Sequence, residues 1–260
     1  MTDKRQRQKE QRAAKKEAEK KAEGRKELRK RLLTAFGFGA VVVGVFAVGS
    51  IFSSDGDIPK GYEAFRAQPT ACDAEQPPSE SVMVFDAPEP QADLEGATAA
   101  TATISTSCGP IVIELNLDNV ATTNSFVFLS REGFYDGQVF HRILADFTID
   151  GGDPEAGGRG GPGYRVPDEF PESGFVFSEG IVAMSNRGKN TTGSEFFITI
   201  GEGSRTLTPT FNILGTVIAG QDTIDRIAAV PVAQEPGSVA KSFPLETVYI
   251  EGIEIDVTGS

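Results

Sequence analysis

Leu32–Phe52 constrains this chain more than any other stretch: twenty-one consecutive residues, LLTAFGFGAVVVGVFAVGSIF, without a charged side chain. As a helix it would span ~32 Å, about the thickness of a bilayer's hydrocarbon core. A soluble core helix of that length would carry a polar face. A cleaved signal peptide has a short basic region and an apolar run of roughly 7–15 residues. Here the basic region is far longer, and no A-x-A precedes Ser53. Gly37, Gly39, Gly44 and Gly49 weaken a helix in water but are common in membrane spans. The stretch therefore reads as a single uncleaved transmembrane helix.

Charge falls unequally on its two sides. Residues 1–31 hold fourteen Lys/Arg against six Asp/Glu, a net +8, so the rest carries −20 of a total of −12. The positive-inside rule then places the N-terminus in the cytoplasm and everything after Phe52 outside. The expected location is the cell membrane, single-pass, with four parts: a basic cytoplasmic segment (1–31), the span (32–52), an extracytoplasmic linker (53–99) and a folded domain (100–257). The basic arm could touch anionic lipid or RNA. The plainer reading, a solvated topology determinant, is preferred, and no nucleic-acid partner is expected.

The linker contains Pro59, Pro69, Pro77, Pro78, Pro88 and Pro90 among many acids, which argues against regular structure. Tyr62, Phe65, Val82, Met83, Val84 and Phe85 could still dock onto a domain. The two cysteines of the chain are Cys72 in the linker and Cys108 at the start of the folded region. Outside the cell they are expected to form a disulfide, the alternative being two free thiols. Two Cys and one His cannot build a Cys/His zinc site, and no metal or cofactor is expected.

From residue 100 the pattern is of short strands. Thr101–Ser107 and Ile111–Leu117 alternate apolar and polar residues around Cys108-Gly109-Pro110, which suggests a hairpin. Asn119–Arg131 reads as a helix, and Gln221–Ala229 as a second with Asp222 as its cap. Apolar runs at Val139–Leu144, Ile181–Met184, Phe196–Ile200, Phe211–Ile218 and Tyr249–Val257 complete a mainly β pattern with two helices. Gly158–Gly163 matches G-x-G-x-x-G, but Tyr164-Arg165-Val166-Pro167 cannot begin the helix a dinucleotide site needs. Asn190-Thr191-Thr192 is a glycosylation sequon by pattern only, and His141 has no G-x-S-x-G elbow beside it.

Three ordered blocks remain: Phe140-His141-Arg142 running on to Phe147-x-x-x-Gly151-Gly152-Asp153, then Gly180-x-x-Ala183-Met184-x-Asn186, then Gly193-Ser194-x-Phe196-Phe197-Ile198. Together they resemble the cyclophilin family of peptidyl-prolyl cis–trans isomerases, over about residues 100–257, in a membrane-anchored bacterial, actinobacterial-like form. The resemblance implies an eight-stranded antiparallel barrel capped by two helices. It implies Arg142 as the catalytic arginine, Phe147, Phe197 and Leu207 around the proline ring, and Asn186 as a main-chain clamp on the substrate. Its expected partners are proline-containing peptides or unfolded exported proteins.

The chain departs from the family where Asp150 and Glu195 replace glutamines, Thr148 replaces a hydrophobic residue, Thr206 stands for a frequent Trp and Phe211 for a His. A carboxylate at Asp150 would pair with Arg142 and weaken its field, and Glu195 would add a second charge to the groove. The expectation is an extracytoplasmic foldase that is a weak isomerase or prefers basic peptides. The alternatives are a non-catalytic proline-peptide-binding module and a membrane scaffold working through its basic arm.

Overall fold

The computed structural model describes residues 61–79, 82–234 and 240–259. The basic arm and Leu32–Phe52 lie outside them. Among the described residues no helix is long and apolar enough to cross a membrane.

Strand β1 (Ala99–Thr106) alternates half-buried and buried positions along its whole length, the period-2 pattern of a strand with one face on a core. It pairs with β2 (Gly109–Leu115) on one side and with the last strand, β10 (Ile250–Thr258), on the other. The hairpin turn includes Cys108 as expected, but Gly109 and Pro110 already belong to β2. Thr106 pairs with Gly109, so Ser107 and Cys108 form the loop. The Thr106 hydroxyl closes it, accepting from the Cys108 N–H and donating to the Gly109 carbonyl.

The main sheet also contains β3 (Arg142–Leu144), β4 (Thr148–Gly151), β5 (Ile181–Met184), β6 (Phe196–Thr199) and β7 (Ile213–Ala219), in the order β10-β1-β2-β7-β5-β6-β4-β3. Its neighbours are all antiparallel. The edges curl towards each other: Val139, just before β3, bridges Tyr249, just before β10, and Phe140 N–H donates to the Val248 carbonyl at 3.0 Å. The architecture is thus a mainly β, cyclophilin-like half-barrel with few helices. A separate ribbon joins β8 (Val232–Gln234) and β9 (Lys241–Pro244).

Helix α1 (Tyr62–Arg66) lies in the segment read as a linker without regular structure, and α2 (Val120–Arg131) and α3 (Gln221–Ala228) are close to the helices expected. The N-terminus of α2 is capped from far away in sequence, and that of α3 differs from expectation. The carboxylate of Glu169, from a distant loop, accepts the Ala121 and Thr122 N–H groups at 2.9 and 2.8 Å, placing negative charge at the N-terminus of α2. The residue that opens α3 is Gly220, in a left-handed conformation, while Asp222 sits inside the first turn.

Between α2 and the sheet, Phe196 packs edge-on against Phe126, Tyr135 and Phe140, with centroids 5.9–6.1 Å apart. All four are fully buried, and aromatic burial of this kind dominates core energetics. From Gly61 onward the linker is packed rather than free. Phe65 and Ala71 are buried, Phe85 stacks edge-on to Phe128 at 5.0 Å, and Cys72 forms a disulfide with Cys108. Val82 and Val84, expected as docking candidates, are exposed.

Candidate active site

Alternation along three strands builds one groove. On β3, Ile143 enters the core while Arg142 faces the other way; on β4, Ile149 enters the core while Thr148 and Asp150 face the groove; on β6, Phe196 enters the core and Phe197 the groove. The cavity is about 230 Å³. Arg142, Phe147, Asp150, Asn186, Glu195, Phe197, Leu207 and Phe211 all line it, so the structure brings together every groove residue named from the sequence. Gly158, Ser185 and Arg187 line it too and were missed. Gly158 belongs to the glycine-rich run considered only as a nucleotide motif.

One wall is apolar. The ring of Phe211 stands edge-on to Phe197 at 5.3 Å, with Phe177 behind both at 6.2 Å and Leu207 packed against the same cluster. The opposite side is charged. Arg142 and Asp150 are direct cross-strand partners, and Arg142 Nη1 donates to Asp150 Oδ2 at 2.6 Å. The arginine side chain is 38% exposed and its partner 10%, so the guanidinium is held from below while facing the cavity. Oδ1 of Asp150 is buried without a hydrogen-bond partner among the described residues.

Glu195 does not join that pair. Its Oε1 lies 3.4 Å from Nε2 of His141, whose side chain is 8% exposed. Burial opposes protonation of His141, but the contact with Glu195 and the charges of Glu195, Asp150 and Asp153 together hold its pKa above the ordinary histidine value. The second carboxylate expected in the groove lines it, but is directed to the arginine's neighbour.

Asn186 Nδ2 donates to the Thr210 carbonyl at 2.7 Å and its Oδ1 accepts from Gly188 N–H, which ties off the side chain and leaves the main chain at the groove wall. Past β4, the buried carboxylate of Asp153 accepts the N–H groups of Glu155, Gly157 and Arg159. That wraps the loop carrying Gly158 back toward the groove. A second cavity, about 30 Å³ between Tyr62, Met83 and Gln138, has room for a water or two but not for a peptide. Among the described residues no cluster of His, Cys, Asp and Glu could hold a metal ion.

The family model described as "Cyclophilin type peptidyl-prolyl cis-trans isomerase/CLD" matches residues 101–255. The chain belongs to this family of isomerases. This cyclophilin is 39% identical over 175 residues to peptidyl-prolyl cis-trans isomerase B of Streptomyces anulatus, covering 60% of this chain and 95% of that protein. It is 35% identical over 157 residues to peptidyl-prolyl cis-trans isomerase-like 3 of Dictyostelium discoideum, covering 59% and 93%. Its fold resembles a Cryptosporidium parvum cyclophilin-type isomerase crystallised in the presence of the dipeptide Ala-Pro, with a TM-score of 0.53 and 27% identity over 60% of this chain and 98% of that one. The cyclophilin segment thus spans nearly the whole of these relatives, whereas residues 61–98 stand outside the matched family region.

Proposed function

We propose that this cyclophilin accelerates proline-limited folding of exported proteins from the outer surface of a membrane to which Leu32–Phe52 anchors it. The observation that carries the catalytic part is the position of Arg142, a permanent cation held on β3 and facing a groove whose other wall is Phe197, Phe211 and Leu207. Rotation about an X–Pro bond meets a barrier of ~18–20 kcal/mol because amide resonance must be broken, and takes tens to hundreds of seconds unaided. An apolar wall can hold the proline ring while the preceding carbonyl turns. A guanidinium donating toward the prolyl nitrogen favours the twisted, resonance-free amide. Lowering the barrier by ~8 kcal/mol would give about a million-fold, and fixed charge aimed at the reacting atom is an efficient source of it. Neither covalent nor metal chemistry is required.

The location rests on three supports: the uncharged stretch, the +8 segment before it, and a disulfide between Cys72 and Cys108, which suits an oxidising exterior. In a bacterium expressing the full-length chain, the protein should sediment with membranes, and protease added to spheroplasts should digest residues beyond 60. Recovery in the soluble cytoplasmic fraction would defeat the anchored reading.

Turnover is set low by Asp150. Its carboxylate, 2.6 Å from Arg142 Nη1, offsets part of the positive field at the prolyl nitrogen. Asp150→Gln keeps an acceptor while removing the charge. It should raise kcat/KM on a neutral prolyl peptide about tenfold, equivalent to ~1.4 kcal/mol. Glu195→Gln should do less, because that carboxylate faces His141. An unchanged rate in Asp150→Gln would show that the pair orients the arginine without weakening it. The same pair favours the second reading, a binding module that captures proline peptides and releases them unturned.

A further inference from the structure

We infer that residues 61–79 and 82–94 form a clasp that positions the glycine-rich wall of the groove, so that this extension sets peptide affinity from outside the family fold. The inference rests on the groove being the peptide site. Gly158, which lines the groove, belongs to the loop 153–163, which also carries Gly157, Gly160, Gly161 and Gly163. Such a loop has more backbone freedom to lose than any other composition. Yet Gly158 has to hold one side of the cavity: a Cβ built there would lie 3.9 Å from Glu195 Oε1 and 4.0 Å from Arg187 Nη2. Asp153 restrains the first half of the loop through the N–H groups of residues 155, 157 and 159.

The clasp takes hold near both ends. At the start, Tyr62 N–H donates to the Glu155 carbonyl at 3.1 Å, and Phe65 buries Ala156 together with Val139 and Tyr249. At the far end, Phe85 N–H donates to the Pro162 carbonyl at 2.7 Å. Each grip brings two backbones so close that a glycine is required. A Cβ on Gly61 (φ +57°) would lie 2.7 Å from the Glu155 carbonyl oxygen, and one on Gly163 (φ +98°) 2.6 Å from that of Phe85. One glycine stands on the clasp and the other on the loop, so the close approach is built in from both sides.

The clasp is itself anchored to the rest of the domain and not to the loop alone. Tyr62 Oη donates to the Gly137 carbonyl at 2.7 Å. Ala71 N–H and the Pro69 carbonyl exchange hydrogen bonds with Thr247 at 2.9 and 2.8 Å. The Cys72–Cys108 disulfide ties it to the β1–β2 turn, and Asp93 pairs with Arg131 of α2 through both carboxylate oxygens. A loop held in place before the peptide arrives need not be ordered when it binds, and that saving appears as affinity.

The test uses the full-length chain and two variants at opposite grips, Gly61→Ala and Gly163→Ala, with Gly174→Ala as control because its Cβ meets nothing within 4 Å. Amide exchange in residues 154–163 should quicken at least tenfold in both grip variants. KM for an Ala-Pro-containing tetrapeptide should rise three- to tenfold, while kcat changes less than twofold. The control should match wild type in all three. Unchanged loop exchange in both grip variants, or faster exchange with an unchanged KM, overturns the inference. If wild type fails to turn the peptide over, the catalytic reading fails instead, and the same peptide's Kd replaces KM as the measure of the clasp.

Discussion

Arg142→Ala is expected to lower kcat/KM for a prolyl peptide by about two to three orders of magnitude, the range seen when one preorganised donor is removed from a transition-state site. The guanidinium is fixed to β3 by the cross-strand Asp150 and faces the groove. Arg187 also lines the cavity, but from an exposed position after β5, and should not substitute. Peptide affinity should fall less than tenfold, because Phe197, Phe211 and Leu207 still receive the ring. Arg142→Lys should recover little, since an ammonium cannot hold Asp150 and present a planar fork to the amide together. Removing the cation also strands a carboxylate that is mostly buried, costing about 1–3 kcal/mol of stability. The rates should therefore be compared well below the variant's Tm, and Arg142→Ala/Asp150→Asn separates folding from chemistry. Activity within threefold of wild type would remove Arg142 from the mechanism. Wild-type binding without turnover would favour the binding module.

The second large effect belongs to the disulfide. Replacing Cys72 and Cys108 together by alanine should destabilise the protein by about 4 kcal/mol on the chain-entropy account, as an upper figure. The bond joins residues 36 apart in sequence, and a loop of that size costs the unfolded chain much of its freedom. Alanine is the better substitute because Cys108 is buried in the core, where a serine hydroxyl would need a partner. The hairpin turn keeps an independent tie, since Arg226 donates to the Cys108 carbonyl through Nε at 3.0 Å and Nη2 at 2.7 Å. The sheet should therefore still fold, with its urea midpoint lowered by roughly 1–2 M. A midpoint equal to that of the oxidised wild type would mean that the bond gives no net stabilisation by restricting the unfolded chain.

What was legible in the sequence followed from strand alternation. Phe196 and Phe197 are adjacent, so one must enter the core and one the groove. Arg142 and Asp150 fall within the first of the three blocks that suggested a shared site, and they are register partners on β3 and β4. Less legible were contacts that no local pattern records. The cap of α2 comes from Glu169, nearly fifty residues away. The hairpin turn ends before Gly109 because the Thr106 hydroxyl closes it there. Glu195 could be counted as a groove charge, but nothing in the chain around it told that it would face His141. The proline-rich linker looked unstructured because composition reports local propensity, whereas Phe65, Phe85 and Cys72 are held by partners elsewhere in the fold.

The pairing of β1 with β10 has a consequence for how this protein comes into being. The first strand of the sheet acquires its second neighbour only when residues 250–258 exist, and the Val139–Tyr249 bridge that brings the edges together waits for the same segment. Contacts between segments so distant in sequence are slow to form. Residues 250–258 must be made before the sheet can be completed. On the proposed anchored topology the domain would reach the far side of the membrane with its sheet still open, and a catalyst of folding would first have to fold there itself.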